Sequence, residues 1–266
     1  MFDRYRRTHP LILPLPPLIL LAVVLLVGKA HPIRWTVAIA DRTHWIIRPE
    51  LVLFLMGLAL LLAVILLPGK LKPDDLGLNR DLVARGLGII LMTWMAAQVL
   101  AVLPRVVSED PIAIHQSWLR GDWLRNVVHL LSALTLASIT EIALRGFLLV
   151  QLYLLLHRDS KDPDRGLGVA VAASVIMGNL AVAAITGVHG AAPDILLPQA
   201  VVAADGLLLC WIYLRTRNLF FAIGVQALII APTPIVAGIR GEPGWFHSLM
   251  IAVVASVWTL LWPRRE

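Results

Sequence analysis

Thr140-Glu141-Ile142-Ala143-Leu144-Arg145-Gly146 sets a carboxylate and a guanidinium four residues apart inside an apolar run, residues 127–156, that otherwise reads as a membrane-spanning helix. A charged side chain near the centre of a bilayer costs roughly 3 kcal/mol on insertion scales, so intramembrane ionisable residues face a bundle interior and often mark function. At i,i+4 spacing Glu141 and Arg145 share one helix face, one turn apart, where each neutralises the other. A buried pair of this kind is as readily a packing device as a functional one.

The remainder of the chain supports the membrane reading. Its 266 residues are 59% hydrophobic and only 15% charged, and the mean hydropathy is +0.81. A soluble domain of average usage is far more polar. The single cysteine, Cys210, lies in an apolar run, so an internal disulfide and a Cys-based metal site are both excluded and the residue reads as core filling.

Apolar runs of about 17 or more residues, each able to cross ~30 Å as helix, recur along the chain. They fall at residues 11–27, 51–67, 86–103, 127–156, 167–186, 195–214, 219–237 and 245–262. The expectation is an all-α fold, a polytopic transmembrane helical bundle of about eight spans forming one integral membrane domain, residues 1–266. Turn residues and charges gather in the connections at 68–75 and 158–165. The segment 104–125 carries Trp118 and Trp123 and suits an amphipathic piece at the interface, where indole rings prefer to sit.

Alternate connections and both termini hold 14 Lys and Arg, against 8 in the others. Positive charge stays on the cytoplasmic side, so both termini are expected there, in a bacterial-type cytoplasmic (inner) membrane. The net charge of +6 then reflects basic residues facing an anionic leaflet, and nucleic acid is not an expected partner. Arg4, Arg6 and Arg7 ahead of an apolar run, with Gly28-Lys29-Ala30 behind it, also suit a secretory signal, but Pro14, Pro16 and Pro17 interrupt the run and favour a retained first helix.

Other polar residues within the spans include Thr140, Gln151, Asn179, Asp205 and Gln226. For the uncharged four, interhelical hydrogen bonding is the common outcome. Asp205 has no cation beside it in sequence, so it is expected to be protonated, to face a polar cavity, or to pair across helices, with Arg145 as one conceivable partner.

Residues 141–148, Glu-Ile-Ala-Leu-Arg-Gly-Phe-Leu, resemble the second half of the EExxxRG signature of the CAAX protease and bacteriocin-processing (CPBP) family, the type II CAAX prenyl endopeptidases. Residues 207–219, Leu-Leu-Leu-Cys-Trp-Ile-Tyr-Leu-Arg-Thr-Arg-Asn-Leu, are similar to the stretch that precedes the family's last catalytic motif. The resemblance covers residues 124–236, a CPBP-like core of helices four to seven. It implies an intramembrane endopeptidase in which a Glu and a His activate water while a further His and Asn stabilise the oxyanion, a division of labour that suits a dry cavity.

The chain departs from that pattern at each catalytic position. Thr140 stands where the water-activating Glu belongs, leaving Glu141 and Arg145 as the motif remnant. Ala181, or with a two-residue shift Asn179, occupies the slot of the middle His, while Gln226 and Ile230 occupy the His and Asn slots of the last motif. None of these side chains can serve as a base near neutral pH. His189 follows helix five in a loop, and His129 lies about 18 Å along the helix from Glu141 at 1.5 Å per residue. No HExxH, Walker loop, dinucleotide fingerprint or Ser or Cys nucleophile motif occurs, so no metal and no cofactor is expected.

The sequence therefore points to a degenerate member that binds a membrane-associated peptide or membrane protein partner in an inherited polar cavity near Glu141 and Arg145. An active CAAX-type endopeptidase, cleaving a membrane-associated or prenylated peptide, is the alternative. A transporter or channel component, motivated by Asp205 alone, is the third.

Overall fold

A computed structural model describes residues 5–28, 33–107, 109, 111–115, 118, 123–159, 163–188, 196–235 and 246–262. The described elements are helical: α1 (Leu15–Gly28), α2 (Arg34–Arg42), α3 (Pro49–Leu66), α4 (Val83–Val107), α5 (Trp123–Glu141), a π-helix (Ile142–Leu149), α6 (Val150–Asp159), α7 (Pro163–Val188), α8 (Leu196–Thr216), α9 (Leu219–Ile230) and α10 (Phe246–Leu261). Each apolar run of the sequence carries at least one of these helices, the run 127–156 carrying α5, the π-helix and α6 in succession. Among the described residues five spans are long and apolar enough to cross a membrane: Pro10–Val27, Pro49–Leu66, Arg80–Val107, Trp123–His157 and Asp164–Ala184.

α4 shows how such a helix sorts its faces. Leu87, Leu91, Met95, Val99 and Leu103 are exposed at i,i+4 intervals and form an outward ridge, while Thr93, Ala97 and Ala101 are buried against the bundle. Leucine outside and small residues inside suit helices that face lipid and approach each other closely.

Three elements differ from the sequence expectation. α9 has 12 residues, about 18 Å at 1.5 Å per residue, and so does not fill the run drawn to residue 237. Pro232 and Pro234 explain the stop: a proline disfavours helical geometry in the residue before it and supplies no N–H, and Ala231 has left the helix at φ −133°, ψ 79°. The coil beyond is held by side chains from elsewhere, with Gln98 Oε1 accepting from Ile235 N at 2.8 Å and Trp118 Nε1 donating to Pro234 O at 2.9 Å. α2 is a helix where a connection was expected; Thr36 and Ala40, one turn apart, are its buried positions. The third difference is the π-helix, which interrupts what reads as uniform α-helix.

At one end of the π-helix and α6 lies a collar of hydrogen bonds. Gln151 donates through Nε2 to Arg6 O and accepts from Thr8 N, both at 2.9 Å. Asp75 accepts from Arg6 N at 3.3 Å and Lys72 N at 2.8 Å. The α8–α9 corner docks on the same turn: Tyr213 Oη donates to Leu76 O at 3.4 Å, and Leu219 N donates to Gly77 O at 3.2 Å. Gly77 sits at φ +77°, and a Cβ there would lie 2.8 Å from the Tyr213 ring, so only glycine fits this turn. Asn218 caps α9, accepting from Phe221 N at 3.3 Å and donating to Leu82 O at 3.2 Å. The stretch 207–219 thus contributes a corner as well as a cavity wall. Gly146 lets the π-helix press against that corner, since a Cβ there would fall 2.9 Å from Leu219 Cδ2 and 3.1 Å from Leu76 O.

Candidate functional site

The Glu141–Arg145 pair forms where α5 gives way to the π-helix. Arg145 Nη1 donates to Glu141 Oε1 at 2.8 Å, and Nη2 donates to Gly206 O of α8 at 3.2 Å. Glu141 is 0% and Arg145 2% exposed, so solvent screens neither charge and the two are held by each other. Among the described residues Glu141 Oε2 and Arg145 Nε have no hydrogen-bond partner. Beside the pair, Cys210 Sγ lies 3.8 Å from Ser174 Oγ, and Ser174 Oγ donates to Leu144 O of the π-helix at 3.2 Å. Ser174 thereby satisfies a carbonyl in the irregular segment, where the α-helical ladder does not apply.

Arg145 opens onto a cavity of about 270 Å³ between α1, α5, the π-helix, α7, α8 and α9. Thr140, Ala181, Gln226 and Ile230 all line it, brought together from α5, α7 and α9. These residues occupy the positions where the resemblance places the family's catalytic groups. Asn179 does not line the cavity; its Nδ2 donates to Val175 O of its own helix at 3.0 Å. The structure therefore puts Ala181 on the wall in its stead.

The expected polar cavity is chiefly aliphatic, with walls that include Leu20, Val24, Val175 and Leu209. Glu141 is not among its lining residues, because the carboxylate is turned into contact with Arg145. Interhelical bonding is likewise absent from the four uncharged residues among the described contacts. Thr140 Oγ1 donates to Leu136 O of its own helix at 2.9 Å, Gln151 holds the chain ahead of α1, Asn179 bonds within α7, and Gln226 Oε1 is buried without a partner.

Asp205 reaches the cavity wall, half-buried. It makes no ion pair with Arg145; the Arg145 forks go to Glu141 and to the carbonyl of the next residue, Gly206. Sequence reasoning raised Asp205 but left it outside the site, and it missed Leu20 and Val24 of α1 altogether, since an aliphatic pair on a distant helix carries no chemical signal. His129 is exposed on α5, and His189 lies outside the described residues. Among the described residues no group of three His, Cys, Asp or Glu side chains is placed to hold a metal ion.

The wall thus offers one carboxylate, one amide, one hydroxyl and one neutralised guanidinium on an aliphatic surface. That arrangement can bind an apolar group and orient a polar one. Among the described lining residues the group able to accept a proton is the Asp205 carboxylate.

No curated protein and no solved structure gives a significant match to the chain. Residues 123–231 match the family model described as type II CAAX prenyl endopeptidase Rce1-like, and together with the five apolar helices this makes the chain an integral membrane protein with a CAAX-protease-like region.

Proposed function

We propose that this protein is a catalytically degenerate CAAX-protease-like membrane protein whose cavity holds a membrane-associated peptide or a membrane protein partner. The observation that supports the reading is the cavity wall, where Thr140, Ala181, Gln226 and Ile230 stand at the positions of a carboxylate, two imidazoles and an amide. Loss of a general base lowers rates by about 10²–10⁴, and loss of an oxyanion donor by about 10²–10³ more. The proposal extends to a single integral domain, residues 1–266 with a core at 124–236, in a bacterial-type inner membrane with both termini cytoplasmic, as the Lys and Arg distribution favours.

The test is cleavage of prenylated and unprenylated peptides by the full chain in lipid nanodiscs. Turnover is expected at background. Proteolysis abolished by Asp205→Asn or Glu141→Gln would overturn the reading in favour of an active endopeptidase, for which the Asp205 carboxylate on the wall is the specific motivation. Reporter fusions test topology: those after residue 266 and within 158–165 should report cytoplasm, and one within 187–194 the opposite side.

A further inference from the structure

The polar groups of the cavity are unequal in what they leave unsatisfied. Arg145 is committed through both terminal nitrogens, to Glu141 and to Gly206 O; its Nε lacks a partner among the described residues, but the ion pair cancels its charge. Thr140 uses its hydroxyl proton on Leu136 O, so what remains of it is lone pairs. Gln226 Oε1 is a buried acceptor without a partner among the described residues. Asp205 lines the same space and has no hydrogen bond or ion pair among the described residues. With the pair at Arg145 neutral, the acidic group left on this wall is the Asp205 carboxyl, with acceptor oxygens beside it and the Gln226 amide N–H groups as donors.

A carboxylate on an aliphatic wall is unfavourable unless it is neutralised or paired. A ligand that relieves it by pairing donates hydrogen bonds and carries positive charge. The space constrains the rest: about 270 Å³ lies just below the ~300–1,000 Å³ of ordinary small-molecule pockets, room for one long side chain but not for a folded segment. Leu20, Val24 and Leu209 supply the apolar surface against which an aliphatic stem packs while its charged head reaches a polar group.

We propose that the cavity takes a primary ammonium group on an aliphatic stem, the side chain of a lysine in a membrane-embedded peptide or a free alkylamine, with Asp205 as counter-ion and Gln226 Oε1 as second acceptor. This rests on the reading of the cavity as a binding site and names the chemistry of what enters it.

The experiment uses the full chain in nanodiscs of zwitterionic lipid and follows thermal unfolding during titration with hexylammonium or 1-hexanol. Hexylammonium is expected to raise Tm at a concentration about tenfold lower than the alcohol, and Asp205→Asn to remove that advantage while leaving the alcohol response unchanged. A second arm separates the two sources by comparing a single-span peptide bearing one central lysine with its norleucine counterpart, read by energy transfer to the labelled protein. Preference for the lysine peptide, lost in Asp205→Asn, places the ammonium on a peptide; preference for hexylammonium alone assigns the site to a free amine. Equal response to ammonium and alcohol, or a preference that survives Asp205→Asn, overturns the proposal. Equal binding of both peptides, with no amine preference, overturns the charge selectivity and leaves the cavity as a partner site. Should Asp205→Asn not yield folded protein, Ala181→Phe fills the cavity without altering its charge, and an ammonium response that persists in it overturns the proposal as well.

Discussion

The two flanks of the π-helix make a useful contrast. On the collar side, Gln151 and Asp75 each meet two backbone groups, and the α8–α9 corner closes on Leu76 and Gly77. On the cavity side, Asp205 and Gln226 Oε1 stand on an apolar wall with no partner among the described residues. Polar groups that saturate one another hold a fold together; polar groups left unsaturated in a hollow are free to meet something from outside. The Glu141–Arg145 pair belongs to the first kind even though it lies at the second place.

The contrast breaks first at the pair. Glu141→Gln or Arg145→Met alone strands a buried charge, which destabilises by about 3–5 kcal/mol, so folded yield in detergent should fall sharply for each. The double substitution should recover part of the loss, and purely additive damage in the double-mutant cycle would show that the two side chains do not interact.

A smaller loss is expected in the collar. Gln151→Leu leaves Arg6 O and Thr8 N without their partner, an effect of about 0.5–1.5 kcal/mol for each part-buried bond. Hydrogen exchange at the Thr8 amide should quicken while amides of α7 keep their protection. Uniform quickening across the bundle would mean the collar cannot open by itself.

The cavity should tolerate most. Asp205→Asn and Gln226→Leu remove no internal bond among the described residues, so stability should move by no more than about 0.5 kcal/mol, or rise. A marked drop in Tm for either would move these residues to the saturated class and erase the distinction.

Legibility followed chemistry more than geometry. Glu141 and Arg145 stood out because charge within an apolar run is rare, and their spacing stated their relation correctly. The helix they occupy was legible too, but not its π-helical portion: Ile142–Leu149 is mostly bulky and apolar, and buried helices of either winding accept such a composition. Gln151 shows a different limit. Its residue type says that it will bond, yet its partners lie 143 and 145 residues away, a pairing that no local pattern encodes. The early end of α9 was written in Pro232 and Pro234 but was overridden by the length of the apolar run around them. Thr140, Gln226 and Ile230, singled out by motif spacing, all line the cavity. That Ala181 and not Asn179 faces the cavity depends on the facing of α7, which a two-residue uncertainty in alignment hides, since two residues turn a helix through about 200° at 3.6 per turn.

The π-helical stretch behaves as a phase shifter in the longest apolar element of the chain. One residue spliced into an α-helix turns everything after it by about 100°, so the residues following Leu149 do not present the face that the residues before Ile142 would dictate. Excising one residue after Gly146 would return the rod to regular winding, leave Glu141 and Arg145 where they are, and swing Gln151 off the chain at Arg6 and Thr8. A single-codon deletion there would uncouple the two ends of one continuous helix, severing the strap while sparing the hollow.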